Sequence, residues 1–351
     1  MCIRDRQRFG QNSAVHHIGT KLVTNIGSGT VVILGDACVD MVVKSGRDSK
    51  GNEFKARPDL TCGGSAANTA MILSQLGVSV AFVGAVGRDA FGNMVAGSLS
   101  AAGVDISKLI QLDDACTTVV IAVVYLDGTH TMKGWPLDGG ADLMLESNHG
   151  DISVFDNPIW LHSSGLSIVK DPTRETVLRA MNYARNQGVP VSFDLNMHGS
   201  LGHIDGTLKH QYEHNLRKAI ELSDCVFGSA SDEIALLYPQ ENMSQAVRAL
   251  AGMTRTAISR RGELAAICAS GSELIESKPF QVDTVDTIGA GDAFNAGFIA
   301  AQLEDLSIEK SLQWGHATAG LSIKTVGSAG KFDRTDVLRL IEQQPKLVQG
   351  H

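Results

Sequence analysis

The stretch of the chain with the most chemical content is residues 286–294, which read Asp-Thr-Ile-Gly-Ala-Gly-Asp-Ala-Phe. Three small residues, 289–291, stand directly before a carboxylate, Asp292. A strand-like run, residues 280–285, precedes them, and an apolar run that favours a helix follows. A strand, a small-residue turn and a helix start together point free backbone N–H groups at an anion. Because a carboxylate repels an anion, Asp292 is interpreted as a base that takes a proton from a nucleophile beside a phosphate.

The composition sets limits on what the whole chain can be. Its 351 residues predict one large α/β domain or two ordinary ones, and 43% hydrophobic with 19% charged residues is typical of a globular protein with a substantial core. The net charge of −8 argues against non-specific nucleic-acid binding and against attachment to an anionic membrane. We therefore expect no nucleic-acid and no membrane partner, although a small anionic ligand fits a local amide-rich site.

The cysteines bear on metal sites and on the compartment. Six are scattered along the chain without a CxxC pair, which excludes zinc-ribbon and thioredoxin-type sites. Most stand among apolar residues, as reduced core thiols do, and this predicts a cytoplasmic location. No apolar run approaches membrane-spanning length, and the basic start of the chain has no hydrophobic segment behind it, so a secretory signal is not expected.

Hydrophobic periodicity divides the chain into three parts. Residues 1–28 show no clear period and are predicted to be a disordered extension, 29–344 a single domain, and 345–351 a tail. Within the domain, strand and helix patterns alternate, which predicts an α/β fold with a mostly parallel sheet and helices on both faces. Right-handed crossovers then place the carboxyl ends of the strands along one edge, where ligands bind.

Two stretches, about 39–61 and 117–135, break this alternation. Neither has helix periodicity, and the second holds two strand-like runs around Asp127-Gly128, which is a hairpin signal. They are predicted to form a small β-strand lid over the edge of the sheet.

The phosphate-binding motifs of other folds are missing from the sequence. No GxxxxGK[ST] occurs, and the glycines after residue 83 do not have the dinucleotide spacing. Two glycine clusters remain, at 63–68 and 289–291. Either alone is more often just a turn, but two clusters that each open a helix suggest two adjacent sites.

The two clusters lie in segments with a recognisable pattern. The pair GGSAANTA (63–70) and DTIGAGDAF (286–294) resembles the two signatures of the ribokinase-like carbohydrate kinases, the PfkB family. Further similar segments follow the family's order, and the likeness covers about residues 30–340. It implies a ribokinase-like three-layer sandwich with a mostly parallel central sheet and a small β-strand lid. It also implies phosphoryl transfer from ATP to a hydroxymethyl group of a small sugar.

The resemblance gives the second signature a catalytic role. Asp292 would be the base, and the amides of Gly289, Ala290, Gly291 and Asp292 would form the anion hole for the transferred phosphoryl group. The simpler interpretation of Asp292 is an N-cap of the following helix, which is compatible with catalysis.

The resemblance assigns the sugar to the first signature and the lid. The matching substrate positions are Asp40, Gly64, Ser65 and Asn68, where the polar side chains can bond adjacent hydroxyls and the glycine allows close approach. Helix capping for Asn68 and a solvated loop for Asp40 are the alternatives.

Two histidines bear on the choice of sugar. His130 in the lid and His198 stand where several sugar-acid and fructose kinases carry arginines, which favours a neutral sugar or a nucleoside over a carboxylated substrate. A nucleoside kinase of the same fold therefore stays as an alternative. A non-catalytic relative that binds a sugar or nucleotide is a third, left open by Ala230 and Ala265 at positions where the family differs.

The nucleotide is assigned to three other segments. Asp286 and Thr287 would hold the turn and help to place the nucleotide or a monovalent cation such as K⁺. Arg260 and Gly262 resemble a turn that lies along ADP. His316 stands where the family usually has Asn beside the adenine, although a histidine on a small-residue helix is more often a packing residue.

The metal and the assembly complete these expectations. Glu233 matches the glutamate of the family's Asn-x-x-Glu element, which orders Mg²⁺-bound water, but Ala230 replaces the asparagine. Phosphoryl transfer from ATP still requires Mg²⁺. Lid strands need cover for their apolar faces and edges, and this predicts a homodimer formed through the lid.

Overall fold

A computed structural model of the protein describes residues 29–44, 58–124, 130–155, 157–197, 203–204, 207–325, 327, 330–343 and 348–349. The predicted extension, residues 1–28, and His198 lie outside the described residues. The strands, in chain order, are β1 (Thr30–Leu34), β2 (Cys38–Lys44), β3 (Asp59–Gly63), β4 (Val80–Gly87), β5 (Asp105–Leu112), β6 (Val119–Val124), β7 (His130–Trp135), β8 (Pro158–Ser164), β9 (Val191–Asp194), β10 (His203–Ile204), β11 (Thr207–Leu208), β12 (Cys225–Ser229), β13 (Thr256–Arg260), β14 (Ala266–Ser270), β15 (Glu273–Ser277) and β16 (Val348–Gln349).

The helices alternate with these strands over most of the chain. They are α1 (Ser65–Gln75), α2 (Ala90–Ala101), α3 (Thr173–Asn186), α4 (His210–Glu221), α5 (Ala235–Leu237), α6 (Met243–Ala251), α7 (Ala290–Leu303), α8 (Ile308–Ser322) and α9 (Arg334–Gln343), and a π-helical turn, Ala230–Ile234, leads into α5. No helix within the described residues is long and apolar enough to cross a membrane.

The central sheet of the described chain has ten strands in the order β16-β15-β14-β13-β12-β9-β8-β1-β4-β5. In this order, all neighbouring strands from β13 to β5 pair in parallel. Strands β13, β14, β15 and β16 pair antiparallel and form one edge of the sheet. The chain leaves β1 toward β4 and β5 and later returns on the other side through β8 and β9. The strand order therefore reverses between β1 and β8, which is the switch point where open α/β sheets bind ligands.

Two apolar layers cover the sheet, which confirms the three-layer sandwich. Successive side chains of β1 show how this arises: Val31 and Ile33 pack in one core and Val32 and Leu34 in the other, because side chains of a strand alternate between its faces. The first core includes apolar residues of α1, α2, α7, α8 and α9, and the second includes those of α3, α4 and α6. Helix α7 is buried along most of its length, so its first turn is held firmly at the sheet edge.

A second sheet, in the order β3-β2-β6-β7, forms the lid predicted from the two aperiodic stretches. Strands β2 and β6 are parallel, and the outer pairs are antiparallel. The five described cysteines are all free thiols.

The strand predicted at residues 280–285 is wrong. These residues are not paired in a sheet, and the amides of Val285 and Asp286 both donate to the carbonyl oxygen of Ile323, at 2.8 and 3.1 Å. The apolar side chains Phe280 and Val282 pack on the first core. Their pattern thus reflects packing against helices rather than strand pairing.

Candidate active site

The first turn of α7 carries the small-residue segment. Gly289 caps the helix in a left-handed conformation, with φ of 76°. The first amides of a helix have no carbonyl partner one turn earlier, so those of Gly291 and Asp292 point out of the helix start together with the positive end of its dipole. The amide of Ala290, predicted to be part of the anion hole, instead donates to the carbonyl of Thr287 at 3.2 Å.

Asp286 braces this turn from the preceding segment. Its Oδ1 accepts from the amide of Ile288 at 3.0 Å, and its Oδ2 accepts from the amide of Gly327 at 3.1 Å. Thr287 is exposed beside it. These two hydrogen bonds hold the turn from within the protein.

Asp292 faces two side chains of α1. Its Oδ1 accepts from Ser65 Oγ at 2.7 Å and its Oδ2 from Asn68 Nδ2 at 2.9 Å, across more than 220 residues of sequence. The pKa of Asp292 is raised to about 8, chiefly by burial and also by the charge of Asp194, against the lowering effects of Asn68, Ser65 and Arg260. A carboxyl group with such a pKa can take up and release a proton near neutral pH, as a general base must.

The start of α1 requires Gly64. Its φ is 99°, and a Cβ there would lie 2.7 Å from the carbonyl oxygen of Asp36 and 2.9 Å from Cα of Ala37. The carboxylate of Asp36 accepts from the amide of Ser65 at 2.7 Å and from Ser164 Oγ, on β8, also at 2.7 Å. Burial raises the pKa of Asp36.

Asp36 therefore ties β1, β8 and α1 together at the switch point, and sequence analysis missed it. Its signal was its position directly after the glycine-ended, strand-like run 30–35.

Asp40 approaches the site from β2 of the lid. Its carboxylate lies against Gly63 so closely that a Cβ at that glycine has no room. Burial raises the pKa of Asp40 to about 6, with smaller raising effects from the charges of Asp36 and Asp286, while the Cys38 thiol donates to it at 3.8 Å. His130 begins β7, where its backbone pairs with Val124.

A second set of polar residues lies beneath the first turn of α7: Asp194, Glu233, Arg260 and Asn295, called here the Arg260 cluster. Arg260 holds Asp194 with two bonds, Nη2 to Oδ1 at 2.7 Å and Nη1 to Oδ2 at 2.9 Å, and donates to Asn295 Oδ1 at 3.0 Å. The side chain predicted to contact the nucleotide is thus engaged inside the protein. Sequence analysis did not find Asp194 or Asn295 as site residues, although Asn295 directly follows the second signature.

Glu233 fastens two loops. Its Oε1 accepts from the amide of Met197 at 2.9 Å and its Oε2 from the amide of Ser229 at 2.5 Å, and the residue is 1% exposed. The described residues contain no group of three or more His, Cys, Asp or Glu side chains that could hold a metal ion. Since Mg²⁺ in such sites takes one or two carboxylates and otherwise water and phosphate oxygens, Glu233 and the exposed Asp232 fit an ion held mainly by phosphates.

The last two predicted nucleotide residues lie in different settings. Gly262 occupies a left-handed turn, φ 60°, in open space, as a loop along a ligand requires. His316 is buried, with its Nε2 bonded to the carbonyl of Ser277 at 2.8 Å and its ring edge-on to Phe294 at 5.1 Å. Burial lowers the pKa of His316 to about 4. This is the packing role that was the alternative for His316.

The sheet, the lid and the paired helix starts define an α/β kinase of small molecules, and comparison with known proteins agrees. The model of the pfkB family carbohydrate kinases matches residues 29–334, so the chain belongs to this family. It is 31% identical over 277 residues to the fructokinase of Escherichia coli, covering 78% of this chain and 84% of that one. The protein is thus a sugar kinase.

Solved structures with lower identity share the fold. A fructokinase with bound ATP from Xylella fastidiosa superposes with a TM-score of 0.78 at 23% identity, over 91% of this chain and 100% of that one. Aminoimidazole riboside kinase from Salmonella enterica, complexed with its riboside and an ATP analogue, superposes with a TM-score of 0.74 at 22% identity, over 89% and 99%.

Proposed function

We propose that the protein phosphorylates a hydroxymethyl group of a small neutral sugar of the fructose type, with ATP as donor and Asp292 as base. The observation that carries this proposal is the placement of the Asp292 carboxyl group, which two neutral side chains of α1 hold beside the amides of the first turn of α7. A base for the acceptor and an anion site for the donor then stand next to each other.

The transfer needs one proton movement and one exchange of bonds at phosphorus. Asp292 takes the hydroxyl proton as the sugar oxygen bonds to the γ-phosphorus, and the bond to the bridging oxygen of ADP breaks. The amides of Gly289, Gly291 and Asp292 stabilise the charge on the phosphoryl oxygens.

The residues around the base position the two reactants. Asp40 accepts hydrogen bonds from sugar hydroxyls, and Asn68 exchanges hydrogen bonds with them. Gly64 and Ser65 form the floor of the site. His130 contacts the substrate from the lid, and Gly262 lies along the nucleotide.

Glu233 and Asp232 would help to hold Mg²⁺ through water, and the ion would neutralise charge on the phosphates. Asp286 and Thr287 stand at the place proposed for a monovalent cation such as K⁺.

The setting of the enzyme is part of the proposal. Large apolar side chains on lid strands are exposed, among them Leu60 at 42% and Trp135 at 60%. A second copy of the chain would cover these side chains, and their exposure therefore supports a homodimer formed through the lid. The free thiols fit a reducing compartment, and we place the enzyme in the cytoplasm.

An acceptor screen tests the function. Purified protein, ATP and Mg²⁺ are mixed with fructose, other neutral sugars, sugar acids and nucleosides, and ADP release is measured with the Asp292→Asn variant as background. We expect turnover of neutral sugars with kcat/KM well above that of nucleosides. Preference for a nucleoside would favour the second kinase class, and no ADP release with any polyol would exclude both.

A further inference from the structure

The guanidinium group of Arg260 lies directly under the anion-binding turn. A Cβ built on Gly291 would be 2.8 Å from Nη1 of Arg260 and 3.2 Å from its Cζ. The absence of a side chain at Gly291 is therefore what lets the guanidinium support the first turn of α7.

Arg260 is held in this place from several elements. It bonds Asp194 on β9 and Asn295 on α7, and Glu233 from the π-helical turn lies 3.7 Å from Nη2. Asn295 Nδ2 also donates to Asp194 Oδ2 at 2.7 Å, which closes a ring between the three residues. The Arg260 side chain is only 15% exposed, and a planar guanidinium in a two-point contact has little freedom.

The same cluster sets the charges near Asp292. From β9 Asp194 acts on Asp292 as a like charge, and from β13 Arg260 acts on it as an opposite charge, while α1 contributes only the neutral Ser65 and Asn68. Glu233 faces Arg260 rather than Asp292. Arg260 thus offsets a carboxylate that would otherwise hinder ionisation of Asp292.

We propose that Arg260 is a positioning residue of the phosphoryl-transfer site, which supports the anion-binding turn through Gly291 and balances the charge of Asp194 beside Asp292. This role rests on the proposed function of Asp292 as the base. It differs from the nucleotide contact that the sequence predicts for Arg260, since a nucleotide contact acts on the KM for ATP, whereas a positioning residue acts on kcat and on the pH profile.

The experiment compares Arg260→Met, Arg260→Lys, Asp194→Asn and the double variant Arg260→Met/Asp194→Asn. Arg255→Met is the matched control, because Arg255 precedes the other end of β13 and bonds the carbonyl groups of Ile220 and Ala251 at 2.8 and 3.2 Å, away from the site. Steady-state kinetics are measured from pH 6 to 10, with melting temperatures recorded for every variant.

For Arg260→Met we expect kcat about 100-fold lower, the size of effect that misplacement of a reacting group causes, and a KM for ATP within about threefold of wild type. The acid limb of kcat/KM should move up by about one pH unit or more, because an opposite charge is lost. Asp194→Asn should move the limb down, and the double variant should bring it back toward the wild-type position. Arg260→Lys should recover part of kcat.

Two results would overturn the proposal. One is a large rise in the KM for ATP with an unmoved acid limb, which indicates a nucleotide contact. The other is a pair of variants, Arg260→Met and Arg255→Met, that lose stability and activity alike without a change of pH profile, which indicates a general structural role.

A second measurement separates this proposal from the proposed function. The pKa of Asp292 is titrated directly by NMR in protein with ¹³C-labelled aspartate carboxyl groups, assigned with Asp292→Asn, and no turnover is needed. Arg260→Met must raise that pKa. If the methionine variant does not fold, Asp194→Asn must lower it, while Arg260→Lys, which keeps the positive charge, should leave it close to the wild-type value. If the wild-type protein phosphorylates no acceptor, the proposed function fails while this titration still decides the role of Arg260.

Discussion

Two buried carboxylates stand at the same edge of the sheet, and they differ in the charge of their partners. Asp292 is held by the hydroxyl of Ser65 and the amide of Asn68, both neutral. Asp194 is held by the guanidinium of Arg260 at 2.7 and 2.9 Å. Neutral donors leave the pKa of Asp292 raised to about 8 by burial, so this group can exchange a proton, whereas the ion pair of Asp194 makes it part of the scaffold.

The comparison teaches how one site obtains both a reactive and a fixed acid. Helix α7 contacts both groups: it carries Asp292, which faces α1, and its Asn295 donates to Asp194 on β9. Both acids are buried, so what distinguishes the proposed base, Asp292, from Asp194 is the charge of the partner and not depth.

Replacing the reactive carboxylate should have the largest effect. Asp292→Asn keeps the shape and should lower kcat by about 10³-fold or more, in the range that general-base catalysis contributes. ADP affinity, measured by calorimetry, should stay within about threefold because the amides of the turn are retained. The control is Asp283→Asn, an exposed carboxylate nearby that should leave kcat unchanged. Full activity in Asp292→Asn would remove the distinction between the two acids.

Adding a methyl group between the first turn of α7 and the guanidinium of Arg260 should have the next largest effect. In Gly291→Ala the new methyl group meets Arg260 Nη1 at 2.8 Å, and the guanidinium cannot move aside because Asp194 and Asn295 hold it. We expect kcat to fall by about 10–100-fold through displacement of the turn. Gly97→Ala on α2 is the matched control, since nothing lies within 4 Å of its Cβ position. It should stabilise the protein by about 0.5–1 kcal/mol in a thermal melt.

Removing one of the two neutral hydrogen-bond donors to Asp292 should have a smaller effect on activity. Asn68→Ala takes away a hydrogen bond that lowers the pKa of Asp292. The acid limb of kcat/KM should therefore move to higher pH by about half a unit to one unit, with activity at pH 7 reduced about three- to tenfold. A limb that moves to lower pH would contradict the assignment of Asp292 as the titrating group.

The smallest expected effect is on stability. The pKa of Asp292 is about 8 in the folded protein and near 3.8 when unfolded, so the folded state holds a proton that the unfolded state has lost between these values, and stability falls as pH rises through this range. Asp292→Asn has no titrating carboxyl group at this position, so it does not lose stability from this source as the pH rises. Its melting temperature should exceed that of the wild type by more at pH 8 than at pH 5, by roughly 1–2 °C for each kcal/mol. An equal difference at both pH values would argue against a raised pKa.

Local patterns predicted the starts of α1 and α7. Glycines at 64 and 289 marked two helix starts that need left-handed backbone, and both have positive φ, 99° and 76°. The helices and most core strands followed from periodicity, because each buries a regular face. The residues of strand β5 are mostly half-buried and show no clear alternation, so hydrophobic periodicity does not indicate this strand.

Long-range contacts could not be predicted in the same way. The partner of Arg260, Asp194, is 66 residues away, and nothing in a loop of Arg, Gly and Glu shows that the first arginine turns inward. The apolar residues of 280–285 suggested a strand because packing on a helix and pairing in a sheet select the same side chains. Only the assembled fold distinguishes the two.

The bond between Ser65 and Asp292 spans 227 residues. During synthesis the amino-terminal half of the site emerges long before its base, and the site is complete only when α7 docks on α1. Such distant pairings close long loops, and contacts at large sequence separation slow folding. A chain that ends before α7 lacks Asp292, so in the proposed function catalytic competence requires that these two distant segments have met.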